Sequence, residues 1–200
     1  MAHRFAEIAF TPGVKAIQEE MGSRANYARM EGEAEDVNHR LGEAEAAFLR
    51  GRDSFYMASV GETGWPYVQH RGGPAGFVRV LDDVSIGFAD FRGNRQYVSM
   101  GNLAADDRVS LFFMDYANRT RLKLFGRARV VQPDEPELLA RLEVADYRAR
   151  VERGIVIAVE AFDWNCPQHI TRRFTLDDIQ RLTEPFARRI EELEAELARR

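Results

Sequence analysis

Residues 55 to 83 read FYMASVGETGWPYVQHRGGPAGFVRVLDD. Two runs rich in aromatic and β-branched residues, around 55–60 and 65–71, flank the polar GETG. A third begins at Phe77 after a Gly-Gly-Pro turn. Short alternating runs with Gly and Pro punctuation predict an antiparallel meander. A plain hairpin needs only a glycine or two, yet QHRGGPAGF (69–77) puts His70 and Arg71 directly before Gly72 and Gly73. Bare backbone lets amide groups approach a flat or anionic ligand closely. An Arg beside it can clamp a phosphate or meet ring carbonyls. The same letters also suit a Gly-rich turn with an exposed Arg.

Working outward, VSIGFAD (84–90), RVSLFFMDY (108–116), RLKLFGRARVV (121–131) and GIVIAVEAFDWNC (154–166) have the same strand character. Six or seven antiparallel strands with a helix or two inserted predict a mainly β fold, a closed or half-closed barrel with peripheral helices. One inserted helix is GNRQYVSMGNLAADD (93–107), with Tyr97, Met100 and Leu103 at helical spacing. Another is PDEPELLARLEVADYRAR (133–150), in which Asp134 and Glu137 resemble a capping box.

The flanks differ. Residues 1–52 are charged and helix-leaning and form an N-terminal arm expected to pack on the barrel of 53–174. In TPGVKAIQEEMGSR, Thr11 is placed as an N-cap and Pro12 just inside, with Val14, Ile17 and Met21 as a stripe. EGEAEDVNHR (31–40) has the composition of a solvated connector. GEAEAAFLRGR (42–52) predicts a short helix burying Phe48 and Leu49. Residues 175–200 predict an amphipathic helix in which Ile179, Leu182, Phe186, Ile190, Leu193 and Leu197 recur three or four apart. That seam suits packing on its own barrel or crossing to a second subunit, and Pro185 is expected to kink or restart the helix.

Composition excludes several classes. The 200 residues are 45% apolar and 30% charged, with formal net charge −4, so neither nucleic acid nor an acidic membrane is an expected partner. Only Lys15 and Lys123 are lysines among 28 basic residues, so a single Arg carries little information. One cysteine, Cys166, rules out an intrachain disulfide and a Cys-rich zinc site. MAHRFAEIAF (1–10) lacks the long apolar core of a signal peptide, and no segment approaches a membrane span, so a cytoplasmic protein is expected.

Three further stretches carry candidate chemistry. ADFRGNRQY (89–97) ends a strand, turns at Gly93 and opens a helix. Asn94 is placed to cap that helix, and Arg95 to lie in its first turn, where a bound anion would offset the unfavourable cation. In DYANRTRLKLFGRA (115–128), Arg119, Arg121 and Lys123 alternate with leucines, which on a strand lines three cations on one face. DWNCPQHITRRF (163–174) gathers Trp164, Cys166, His169 and Arg173 after the last strand. Cys166 with His169 lacks a third partner and a helix N-terminus to activate the thiol, which favours a structural Cys. The four histidines have no metal-ligand spacing, and there is no GxSxG, P-loop or GxGxxG.

Taken in chain order, the strand, the HRGG turn, IGFADFRGNRQYVSMGNLAADDRVSLFFMDY and RLKLFGRARVV resemble the pyridoxamine 5'-phosphate oxidase-like flavoproteins. The likeness covers residues 50 to 132 and, more loosely, the tail through 174. It implies a split β-barrel, a homodimer, and FMN held at the subunit interface. By motif, Gln69, His70, Arg71, Gly72 and Gly73 correspond to the segment along the isoalloxazine and ribityl chain. Phe88 and Ala89 correspond to the strand end beside the flavin, and Asn94, Arg95 and Gln96 to the phosphate-binding turn. The family often has a Lys where this chain has Gln96. Arg121 falls where the second subunit approaches the ring, and Trp164 and Arg173 match a late Trp and Arg near the cofactor. The true oxidases carry an Arg-Leu-His-type motif after the late Trp; NCPQHITRRF stands there instead. The resemblance therefore implies an FMN-dependent oxidoreductase of unassigned substrate. The alternatives are the same barrel using deazaflavin F420 or haem, and a non-catalytic flavin-binding or sensory module. No catalytic acid or base and no metal ligand is singled out.

Overall fold

The computed structural model describes residues 3–31, 38–132, 134–164 and 167–199. Most of the expected connector at 31–40, and Cys166, lie outside these residues. The chain divides into two compact units, Met1–Met114 with Arg121–Asn165, and Asp115–Thr120 with Cys166–Arg200.

The first unit is built on a seven-stranded sheet. Its strands are β1 (Ser54–Val60), β2 (Pro66–Gly72), β3 (Arg79–Asp82), β4 (Ser85–Phe91), β5 (Arg108–Asp115), β6 (Thr120–Val130) and β7 (Val151–Trp164). They lie in the order β2-β1-β5-β6-β7-β4-β3. The pairings β1–β2, β1–β5, β3–β4, β4–β7 and β6–β7 are antiparallel. β1 buries alternate residues, Phe55 and Met57 inward with Ser59, as a strand with one solvated face should. β4 is buried almost throughout, because β7 and β3 flank it and the core lies beneath.

The sheet is rolled rather than flat. β1 and β4 are separated by β5, β6 and β7 in the strand order. Four interstrand spacings would hold them about 19 Å apart on a flat sheet. Yet the rings of Phe55 on β1 and Phe88 on β4 meet edge to face with centroids 5.2 Å apart. Phe77 and Phe113 also pack on Phe55, at 5.8 and 4.8 Å. All four rings are essentially inaccessible to water. Each contributes about 1.5–3 kcal/mol of burial, so this aromatic cluster is the centre about which the sheet curls. The β6–β7 ladder shifts register between Phe125 and Gly126. There a Cβ on Gly126 would lie 2.6 Å from the carbonyl oxygen of Ala158, so the irregularity depends on a residue without one.

The helices are α1 (Arg4–Ala9), α2 (Pro12–Glu20), α3 (Arg24–Ala28), α4 (Glu43–Arg50), α5 (Val98–Ala105), α6 (Pro136–Leu142) and α7 (Leu176–Leu197). Phe5 of α1 stacks on Phe125 of β6 at 4.9 Å, and Lys123 Nζ lies 4.6 Å from the Phe5 ring centre. Thr11 caps α2 through Val14 N–H, as its sequence predicts, but Val14, Ile17 and Met21 are exposed. In α4, Leu49 is fully buried and Phe48 partly so.

Several local expectations are corrected. α6 spans only Pro136–Leu142 and has no side-chain cap; the expected Asp134–Glu137 box does not form. Instead the Glu135 carboxylate accepts hydrogen bonds from Gln132 N–H and from Arg129. Arg119 is not on β6 but in the preceding turn, with φ 56°, so only Arg121 and Lys123 share a strand face. α7, in the second unit, runs through Pro185 as one helix. Its start is fixed by a Thr175–Asp178 capping box that the sequence reading missed.

Candidate functional site

A cleft of about 200 Å³ opens where β2, β4, β7 and the start of α5 converge. Gln69, Arg71, Asn94 and Arg95, four of the residues expected from sequence, line it, together with Asp90, Tyr97, Ser99 and Glu152. On β2, Gln69 and Arg71 share the face opposite His70 because side chains alternate along a strand. Gln69 Oε1 accepts a hydrogen bond from Ser99 Oγ at 2.7 Å. This ties the strand to the first turn of α5.

The charges form an alternating series. Arg71 Nη1 donates to Asp90 Oδ1 at 2.5 Å, and both side chains are about nine-tenths buried. Arg153 Nε lies 3.7 Å from the other Asp90 oxygen and its Nη2 lies 3.1 Å from Glu152. Tyr97 Oη donates to Glu152 at 3.2 Å and accepts from Arg95 Nε at 3.3 Å. The Arg153 guanidinium sits 5.0 Å from the Tyr97 ring centre. Burial pushes the Asp90 carboxyl above its usual range, and Arg71 and Arg153 pull it back only in part.

The loop from β4 to α5 differs from its sequence expectation. α5 starts at Val98, with Tyr97 as N-cap, so Arg95 precedes the helix rather than lying in its first turn. Asn94 does not cap α5; its Oδ1 accepts from Gln96 N–H at 3.2 Å, closing a local turn. That turn carries Arg95 and Tyr97 in left-handed conformations, φ 62° and 56°. Non-glycine residues in this region are uncommon and cluster at ligand-holding segments. Tyr97 makes no side-chain cap, leaving the first amides of α5 without a capping side chain.

The remaining expected residues lie elsewhere. Phe88 and Ala89 are core residues; the Arg71 guanidinium stands 5.8 Å from the Phe88 ring centre. His70 points away from the cleft and meets Tyr56 edge-on at 5.6 Å. Gly72 ends β2 and Gly73 follows it; a Cβ on Gly73 would lie 2.7 Å from the Phe77 ring, so the second glycine lets that ring enter the core. Arg121 lies over Phe112 at 5.5 Å. Trp164 donates from Nε1 to Glu45 at 2.8 Å and packs on Phe48. Arg173 belongs to the second unit, where it lies 4.8 Å from the Tyr116 ring centre. His169 is exposed, with φ 61°.

Sequence reasoning missed Asp90 and Glu152. The signal for Asp90 was present: SIGFADF carries one carboxylate in a run otherwise suited to burial. A buried charge demands a partner.

The family model for pyridoxamine 5'-phosphate oxidase matches residues 41–166. The chain belongs to that family. The match takes in the whole seven-stranded sheet, the HRGG turn and the GNR loop. No curated protein matches the sequence. Among solved structures, HupZ of Group A Streptococcus superposes with a TM-score of 0.50 at 14% identity, covering 67% of this chain and 100% of that one. An FMN-binding protein from Syntrophomonas wolfei gives 0.49 at 10% identity, covering 76% and 97%. Identities this low speak for the fold alone.

Does a flavin suit this member of the family? Arg71 Nε is buried and has no hydrogen-bond partner among the described residues. An unsatisfied guanidinium N–H beside a cleft is a donor without an acceptor, and burying one costs about 1–3 kcal/mol. Gly93, in the loop, would meet nothing with an added Cβ, so the backbone there is open to approach. A donor at the strand, a cation at the loop and open backbone at Gly93 are what a flavin's ring edge and phosphate require, and the residues present fit it.

Proposed function

We propose that this chain binds FMN and works as an FMN-dependent oxidoreductase on a substrate not yet assigned. The observation that carries the proposal is the unsatisfied Arg71 Nε at a cleft that also holds Gln69, Asn94 and Arg95. In this reading Arg71 and Gln69 hold the ring, backed by Phe88 and Ala89, with the Gly72–Gly73 backbone alongside. Asn94, Arg95 and Gln96 hold the phosphate. Bound FMN supplies hydride and single-electron transfer; the protein orients it and sets the charge around it.

The working unit in this proposal is a homodimer. A cleft of about 200 Å³ is smaller than the roughly 300–1,000 Å³ of ordinary cofactor sites, which suits a half-site. Strand register puts Tyr56, Val60 and Val68 on one face of β1–β2. They are 40%, 40% and 60% exposed, with Trp65 next to them at 77%. An apolar face of this kind favours a protein partner. Arg121, Trp164 and Arg173 are assigned as contributions from the second copy.

The test is the visible spectrum of the purified protein, mass analysis of whatever heat releases, and FMN titration of Arg71→Ala and Arg95→Ala. Released FMN, with occupancy lost in both variants, supports the assignment. A deazaflavin or haem spectrum, or folded variants with unchanged occupancy, overturns it. A flavin that reduced nicotinamide and oxygen do not cycle would leave a binding module in place of an enzyme.

A further inference from the structure

The helix α7 (Leu176–Leu197) buries none of its side chains. Its apolar residues fall into a heptad register with Leu176, Thr183, Ile190 and Leu197 at a and Ile179, Phe186 and Leu193 at d. Thr183 is the one polar member, and its hydroxyl already donates to the Ile179 carbonyl at 2.9 Å. Pro185 falls at c, away from the seam, so its ring does not face a partner helix. The b, c and f positions carry Asp177, Asp178, Arg181, Glu184, Arg188, Glu191, Glu192 and Arg199, the solvated back of such a helix.

The rim charges lean toward a parallel partner. In a parallel pair, each g residue meets the e residue five positions on in the other helix. Here that joins Arg189 with Glu194 of the partner, in both directions, and Leu182 with Ala187 of the partner. No like charges meet. In an antiparallel pair of full overlap, g faces g, which brings Arg189 against its own copy or against Leu182. Arg189 now bonds Glu192 of its own helix at 2.9 Å, with both side chains exposed. Exchanging one exposed pair for another changes little energy, so the charges only bias the direction, while the a and d side chains supply the attraction.

We propose that α7 pairs in parallel with α7 of a second copy of this chain, as a two-stranded coiled coil of three heptads. Three heptads are marginal alone, so the full chain is the unit to test. This pairing does not depend on the flavin assignment.

The experiment uses the full chain carrying Cys166→Ser, with Ile190→Cys, Leu197→Cys or Arg188→Cys added singly. Each is oxidised mildly and run without reductant, and flavin occupancy is recorded alongside. Parallel pairing gives covalent dimers from both Ile190→Cys and Leu197→Cys, well above Arg188→Cys at the outward f position. Cross-linking of Ile190→Cys alone indicates an antiparallel pair and overturns the proposal. Cross-linking of neither above the Arg188→Cys level, as when α7 docks on its own chain, overturns it too. Unchanged flavin occupancy in that case leaves the cofactor reading standing.

Discussion

Arg71 on β2 bonds Asp90 on β4 across the two ends of the rolled sheet, at 2.5 Å. Four strands lie between them in the ladder order. The pair therefore ties together two strands that are not neighbours in the ladder, at the floor of the cleft.

Arg71→Met leaves Asp90 buried with only Arg153, at 3.7 Å. Breaking one side of a buried pair costs about 3 kcal/mol, and the loss is read from the urea midpoint. The double change Arg71→Met with Asp90→Leu is expected within about 1 kcal/mol of the parent, because no uncompensated charge remains. The pH dependence has a definite sign. Asp90 binds its proton more tightly when folded, so its contribution to stability is present at low pH and falls as pH rises above the usual carboxyl range. Arg71→Met steepens that fall.

Phe55→Ala removes the ring that Phe77, Phe88 and Phe113 all touch. A fully buried Phe→Ala change costs about 3–5 kcal/mol. Because the same ring holds β1 against β4, faster amide exchange is expected at β4 as well as at β1.

Gly126→Ala sets a methyl against the Ala158 carbonyl, a backbone atom that cannot turn aside. A loss of about 1–3 kcal/mol is expected, read by thermal or urea unfolding. A stability equal to the parent would show that the β6–β7 irregularity can shift.

The Asp178 carboxyl is lowered from 3.8 to about 2 by hydrogen bonds from the Thr175 backbone and hydroxyl and by Arg181. Its support for α7 is present above pH ~4 and lost as pH falls toward about 2. Helicity read by far-UV circular dichroism should drop over that window. Thr175→Ala should lower the starting helicity and flatten that acid step.

The strand set was legible because β pairing here follows period-two alternation and Gly, Pro and Asp punctuation. The HRGG turn and GNR loop stood out because cations beside glycines are unusual in a hairpin. What escaped was tertiary. Asn94 closes its own turn because an Asx turn satisfies the nearest amide before a helix cap can form. Arg119 leaves the strand because the β5–β6 turn needs a left-handed residue. Glu152 joins the cleft only because β7 lies beside β4, a pairing between segments some sixty residues apart that no local pattern encodes.

That same pairing sets an order of assembly during synthesis. β7 is the strand that joins β6 to β4; without it, β2-β1-β5-β6 and β4-β3 share no ladder. A nascent chain that has emerged only as far as residue 150 therefore holds two separate sheets, each with an open edge. Gln69 and Arg71 stand on one, Asp90 on the other, and Glu152 has not yet arrived. Long-range closure of this kind is slow, and a half-made sheet with bare edges is vulnerable to association. The cleft is complete only once β7 has left the ribosome.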